Sequence, residues 1–380
     1  MYIKIKLILI LIMALLLTSC ANLQENRSKA TQKLKKEIII GVTWPLQKKQ
    51  LLFQEGLQMA AEEINNTGGV LGKKITLQYK DDENNPTKAT LIALNFANDP
   101  KVTAVIGPYN SYIASQIIPI YENAGLILFS PAALLTNLTD QGYQYFFRNI
   151  PNDFAMGTYL GNYVYKKGYK RILVYYEKNT YSKELVNTFE DKAASLAIRV
   201  VYREPFESET PLSYENTLSM WSNYKFDAIL LISNSLQDAE IILTEIKKHH
   251  FNKPIISSYG LDMPNKFQYH PIFNNLYIAT AYSYLDKNLI SHTFAKNFEE
   301  KYHNKPTYYS ALAYDALKLI AYAITKTGSN DPIKVAQTIK SIKNWPGITG
   351  SHTFNDQGDV VNKKIIMGIV NKQKFQIIED

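Results

Sequence analysis

Short, unbroken apolar runs alternate with helix-spaced stretches along most of this chain, and that alternation constrains its fold more than any other feature. Ile38-Ile39-Ile40-Gly41-Val42 is the first run, the pattern of a strand buried on both faces. Leu51, Leu57, Met59, Ala60, Ala61 and Ile64 follow at helical spacing, and Gly68-Gly69 ends that helix. The pair then repeats. A strand from Ile75 to Tyr79 precedes a helix from Pro86 through Phe96. A strand from Val102 to Ile106 precedes a helix from Ile113 to Tyr121, and Leu126 to Phe129 is the next strand. After Pro151 the rhythm restarts, with a helix from Asp153, a strand from Arg171 to Tyr176 and a helix from Ser182 to Leu196. Further strands are predicted at Ile198 to Tyr202, Ala228 to Ile232, Ile255 to Ser258 and Leu276 to Ala281. Strand-helix alternation with short connections makes parallel sheets covered on both sides. Two such units in 380 residues predict an α/β protein of two Rossmann-like lobes.

The N-terminus has a different character. Met1 to Lys6 is short and basic, Leu7 to Leu17 is apolar throughout, and small residues precede Cys20. That layout is a secretory signal peptide, and its apolar run falls short of the ~20 residues that a membrane span needs. Leu17-Thr18-Ser19-Cys20 resembles a bacterial lipobox, in which the cysteine is acylated and becomes the new N-terminus. Cys20 is the only cysteine, so the mature chain has no disulfide. The following residues, Ala21 to Glu37, are polar without a buried stripe and read as a tether.

The net charge of +8 falls to +6 once Lys4 and Lys6 leave with the signal peptide. The remaining lysine pairs are scattered and matched by nearby acids, which argues against a nucleic-acid surface. Nothing nominates a catalyst or a metal site. The six histidines lack ligand spacing, and adjacent His249 and His250 read as a surface helix end. Gly68 to Gly72 follows a helix and precedes a strand, the reverse of a phosphate loop. Asp81-Asp82-Glu83 reads as a solvated strand end. No cofactor is implied.

Several local pieces, in order, resemble the type I periplasmic binding proteins, in particular the branched-chain amino-acid receptor group. They are Gly56 to Asn65 with Gly68 to Gly72, Asp81-Asp82 with Pro86, and Val105-Ile106-Gly107-Pro108 with Ser111. Ser130-Pro131-Ala132-Ala133, Tyr145-Phe146-Phe147-Arg148 and Tyr314-Asp315-Ala316 complete the set. The resemblance implies two lobes joined by three hinge passages, near Asn149–Asn152, Tyr282–Leu285 and Trp345–Thr349. It divides the chain into a signal peptide (1–19), a lipidated tether (20–36), lobe 1 (37–150 with 283–345) and lobe 2 (151–282 with 346–380).

It also implies a function: a lipid-anchored substrate-binding protein of an ABC-type importer on the outer face of a membrane. Such a protein captures an amino acid or a related solute by hinge closure, with a separate permease and ATPase as partners. The implied ligand residues are Ser111 for a carboxylate, Ser130 and Ala132 through their backbones, Tyr181 as a cover, and Asp262 for an ammonium group. Trp44 and Tyr109 join them as aromatic candidates suited to a flat or large apolar ligand. Two departures stand out. Leu134 occupies the place of a usual threonine, and the first loop, Thr43 to Gln47, is shortened. They motivate an alternative, an envelope lipoprotein of the same fold that has lost its solute and serves a protein partner.

Overall fold

The computed structural model describes residues 24–207, 211–267 and 269–378. The signal peptide and Cys20 lie outside the described residues. No helix among the described residues is long and apolar enough to cross a membrane.

Two sheets carry the two lobes. In the first, β1 (Glu37–Trp44), β2 (Lys74–Asp81), β3 (Val102–Ile106), β4 (Ile127–Ser130) and β5 (Phe146–Arg148) lie in the order β2-β1-β3-β4-β5. All of its pairs are parallel. Every residue of β3 and β4 is buried, as their unbroken apolar runs require. Helices α2 (Phe53–Asn66), α3 (Pro86–Asn98) and α4 (Ser111–Asn123) connect the strands, and α11 (Tyr308–Thr327) packs beside α2.

The second sheet runs β14-β13-β10-β9-β8-β6-β7. Its parallel part is β6 (Arg171–Glu177), β7 (Arg199–Phe206), β8 (Ala228–Ile232), β9 (Ile255–Ser257) and β10 (Leu276–Thr280). The antiparallel strands β13 (Ile366–Asn371) and β14 (Lys374–Ile377) extend it. Helices α5 (Asp153–Lys166), α6 (Thr180–Ser195), α7 (Pro211–Trp221) and α8 (Leu236–Lys248) belong to this lobe. Neither α7 nor α12 (Pro332–Lys340) was foreseen, and β5 is too short for an apolar run to announce it.

Two expectations need correction. Residues 24–33, read as a tether, form a helix, α1, with Arg27 and Thr31 buried against lobe 1. A buried arginine gives no apolar stripe, so periodicity could not reveal it. The third hinge passage lies later than Trp345–Thr349. The hairpin of β11 (Trp345–Gly347) and β12 (Gly350–His352) stays with lobe 1, where Asp315 of α11 accepts the N–H groups of Ile348 (3.0 Å) and Thr349 (2.9 Å). Phe354 packs on Phe129 and Phe147, and Val360 donates to the Arg148 carbonyl.

The chain leaves lobe 1 only after Val361, where Lys363 is buried. Its ammonium reaches Thr349 Oγ1 and His352 Nε2, each at 2.7 Å. Burial pulls Lys363 down to about 7 despite the nearby Asp315 carboxylate. Burial and Lys363 together push His352 well down, and its Nε2 shares a hydrogen bond with Lys363 Nζ.

Candidate functional site

The carboxyl ends of both parallel sheets face one another across a cleft of about 620 Å³, the place where open α/β sheets bind ligands. Lobe 1 contributes Lys48, Tyr109, Asn110, Ser111, Ala132 and Leu134, with Tyr308 and Tyr309 from the start of α11. Glu177, Asn179, Tyr181, Asn234, Ser235 and Tyr259 form the lobe 2 wall.

Ser111 opens α4 four residues after Gly107, whose φ of +131° and closeness to Thr43 admit no side chain. A Cβ there would come within 2.0 Å of the Thr43 carbonyl oxygen. Asn110 caps the helix by accepting the Tyr112 N–H at 2.7 Å. Ser111 Oγ accepts the N–H groups of Leu134 (2.8 Å) and Leu135 (3.3 Å), which leaves its own proton for a cleft anion. The loop carrying Ala132 and Leu134 is held from behind. Arg148 is fully buried, pairs with Asp359 and donates to the carbonyls of Leu135 (2.6 Å) and Ala133 (3.2 Å).

Among the described residues, four helices of 13 or more residues begin at this cleft: α4 and α11 from lobe 1, and α6 and α8 from lobe 2. Asn179 caps α6 through the Ser182 N–H (2.8 Å), and Ser235 caps α8 through that of Asp238 (3.1 Å). Their positive ends favour an anion. Among the described residues, the one carboxylate lining the cleft is Glu177, the last residue of β6. Its Oε2 accepts from Ser233 Oγ (2.9 Å) and the Asn234 N–H (2.8 Å). Lys48 Nζ lies 5.3 Å from the centre of the Tyr109 ring on the lobe 1 side.

The expected site residues divide. Ser111, Ala132, Tyr181 and Tyr109 line the cleft. Tyr181 hydrogen-bonds Ser258 Oγ at 2.7 Å, and burial pushes its phenol far up. Trp44 does not reach the cleft surface. It is 1% exposed, stacks on Phe53 at 3.7 Å and supports Tyr109 and Tyr309 edge-on from behind. Ser130 is wholly buried and caps a turn, accepting the Ala133 N–H at 2.9 Å and donating to the Pro108 carbonyl at 3.3 Å. Asp262 lies beneath the lobe 2 wall and accepts from Thr280 Oγ1 at 2.5 Å, and burial pushes its carboxyl up to about 7.

Sequence reasoning missed Glu177. Its place at the carboxyl end of a predicted strand was the available signal, obscured by the better-matched Asp262. Lys48, Asn234, Ser235, Tyr308 and Tyr309 gave no signal, because only tertiary packing brings them to the gap.

The model of the periplasmic binding protein family matches residues 50–374. This chain belongs to that family. Its relatives include the Leu/Ile/Val-binding protein homolog 1 of Brucella abortus (strain 2308), 23% identical over 85% of this chain and 87% of that one. The leucine-, isoleucine-, valine-, threonine-, and alanine-binding protein of Pseudomonas aeruginosa is 24% identical, over 88% and 89%. Among solved structures, an ABC transporter substrate-binding protein from Desulfitobacterium hafniense in complex with Leu superposes with a TM-score of 0.82. It is 31% identical, covering 90% of this chain and 100% of that one. The family and these neighbours are solute-binding proteins, not enzymes, and the family places this chain on the periplasmic or extracellular side.

Proposed function

We propose that this periplasmic binding protein is the lipid-anchored substrate-binding subunit of an ABC-type importer, capturing an amino acid or amino-acid-like solute. The carrying observation is an anion-binding helix start on one wall facing a carboxylate on the other. The α4 N-terminus and Ser111 suit a carboxylate on lobe 1, while Glu177 suits an ammonium group on lobe 2. A zwitterion between them bridges the lobes, so it binds the closed form better than the open one and shifts the hinge equilibrium. Glu177 then serves in the place expected of Asp262, and offsets the hydroxyl that Leu134 lacks. The ring faces of Tyr109, Tyr181, Tyr259, Tyr308 and Tyr309 receive the solute's apolar part. The names of the relatives support an amino-acid ligand. Acylated Cys20 holds the protein at its membrane, and a separate permease and ATPase complete the importer.

Calorimetric titration with the twenty amino acids and short peptides tests this reading, with saturable heat expected for at least one of them. Silence from folded protein across that panel overturns the amino-acid part. Leu134 and the shortened first loop favour the second reading, a scaffold that has lost its solute. A stable complex with a cell-wall enzyme, captured from detergent-solubilised envelope without any ligand response, would support it.

A further inference from the structure

Helix α1 lies at the end of lobe 1 opposite the cleft, and one residue fastens it there. Arg27 is 2% exposed. Its Nε donates to the Ala124 carbonyl (3.0 Å), Nη1 to those of Asp99 (2.7 Å) and Val102 (3.0 Å), and Nη2 to that of Ala97. Ala97 and Asp99 end α3, and Ala124 ends α4. Helix C-termini leave carbonyls unpaired and carry partial negative charge, so one five-donor guanidinium caps two helices together. Burial pulls Arg27 down to about 10, and it stays charged at neutral pH. Ser28 Oγ donates to Asp331 at 2.8 Å, and Asn330 donates to the Thr31 carbonyl at 2.8 Å, which ties α1 to the start of α12 as well.

The same end of the lobe is basic for a topological reason. Parallel strands all begin at one pole, and lysines stand at the start of three neighbours. Lys35 and Lys36 precede β1, Lys73 and Lys74 straddle the start of β2, and Lys101 precedes β3, while α1 adds Lys33. All but half-buried Lys73 are exposed. The acids at this end are fewer: Glu25 pairs with Lys29, while Glu37, Asp99, Glu122 and Asp331 accept from Thr76 Oγ1, the Lys101 N–H, the Gln144 and Tyr145 N–H groups and Ser28 Oγ. Only residues 21–23 separate Cys20 from α1, a reach of at most about 14 Å.

We infer that this basic pole is a docking face for the anionic headgroups of the membrane that holds Cys20. The inference rests on the proposed acylation of that cysteine, since the latched helix keeps any lipid on Cys20 within about 14 Å of Gln24 at this same pole. A basic cluster next to an acyl chain strengthens attachment to anionic lipid, by about fivefold in partition per lysine. Docked this way, the cleft faces away from the bilayer in a pose for capture, lobe 1 is the fixed half, and lobe 2 is free to swing.

The test uses the mature chain purified from membranes, offered to vesicles of neutral lipid or of neutral lipid with one-third phosphatidylglycerol. Retention on neutral vesicles reads the acyl anchor alone. Its loss would sink the anchoring reading but not the docking face, because binding to the anionic vesicles still reads the lysines. We expect tighter partition to anionic vesicles, reversed by 0.5 M salt, with slowed amide exchange in 24–36 and 99–102. The combined change Lys33→Gln, Lys35→Gln and Lys36→Gln should weaken the anionic preference by about a hundredfold. Removing the same charge from lobe 2, with Lys225→Gln, Lys247→Gln and Lys253→Gln, should leave it unchanged. Equal partition to both vesicle types, or equal losses from the two triple variants, overturns the proposal.

Discussion

The two walls of the cleft are built on different principles. On the lobe 1 side, the surface is fixed by groups already satisfied within the lobe. Trp44 is sandwiched behind the tyrosines, Arg148 pins the Ala132–Leu134 loop, and Ser111 takes two N–H groups of its own wall. The lobe 2 side sets a strand-end carboxylate and two helix caps, Glu177, Asn179 and Ser235, beside Tyr181 and Tyr259, and these polar groups are likewise bonded within their own lobe. Both walls are preformed, one around buried aromatic and arginine supports and the other around a carboxylate. That division suits a protein that holds its solute in one lobe and closes the other upon it.

The largest expected effect tests the rigidity of the first wall. Trp44→Ala removes a buried ring stacked on Phe53 and should cost about 3–5 kcal/mol of stability in denaturant unfolding. A near-neutral result would mean that the tyrosines need no backing, and the contrast would lose its first half. Next is Glu177→Gln, which should weaken solute binding by about 1.5–3 kcal/mol, ten- to hundredfold, with little change in melting temperature. Unchanged affinity would strip lobe 2 of its charge role. Ser111→Ala should cost about 1 kcal/mol in affinity, with a similar loss of stability because the Leu134 N–H loses its acceptor.

Asp262→Asn should have the smallest effect on affinity, none measurable, and should be read instead in the pH dependence of unfolding. The folded carboxyl, raised to about 7, holds its proton where the unfolded one releases it. Its contribution is therefore lost as pH rises from about 4 to 7. The variant should flatten that part of the stability profile. A fall in affinity instead would return the ammonium role from Glu177 to Asp262.

Much of the architecture was legible in the chain. The runs at Val102–Ile106 and Ala228–Ile232 coincide with β3 and β8, because a strand covered on both faces must be apolar throughout. The latch at Arg27 was not legible, since its partners are backbone carbonyls from two distant helix ends and any sequence offers those. Asp262 and Trp44 do not line the cleft, for a related reason. An acid or an indole near a strand end satisfies the pattern whether it faces the gap or the core, and burial decided for the core.

The sequence by itself determined the two sheets, the parallel sense of their alternating strands, the family and a helix near Ile113, because periodicity and turn chemistry are local properties; the structure starts that helix at Ser111. Only the tertiary structure decided which side chains meet across the gap. Glu177 and Ser111 are 66 positions apart on different lobes, and Tyr309 arrives from a third segment. Their common site exists only because two sheets turn their carboxyl ends toward each other, a relation that no local pattern encodes.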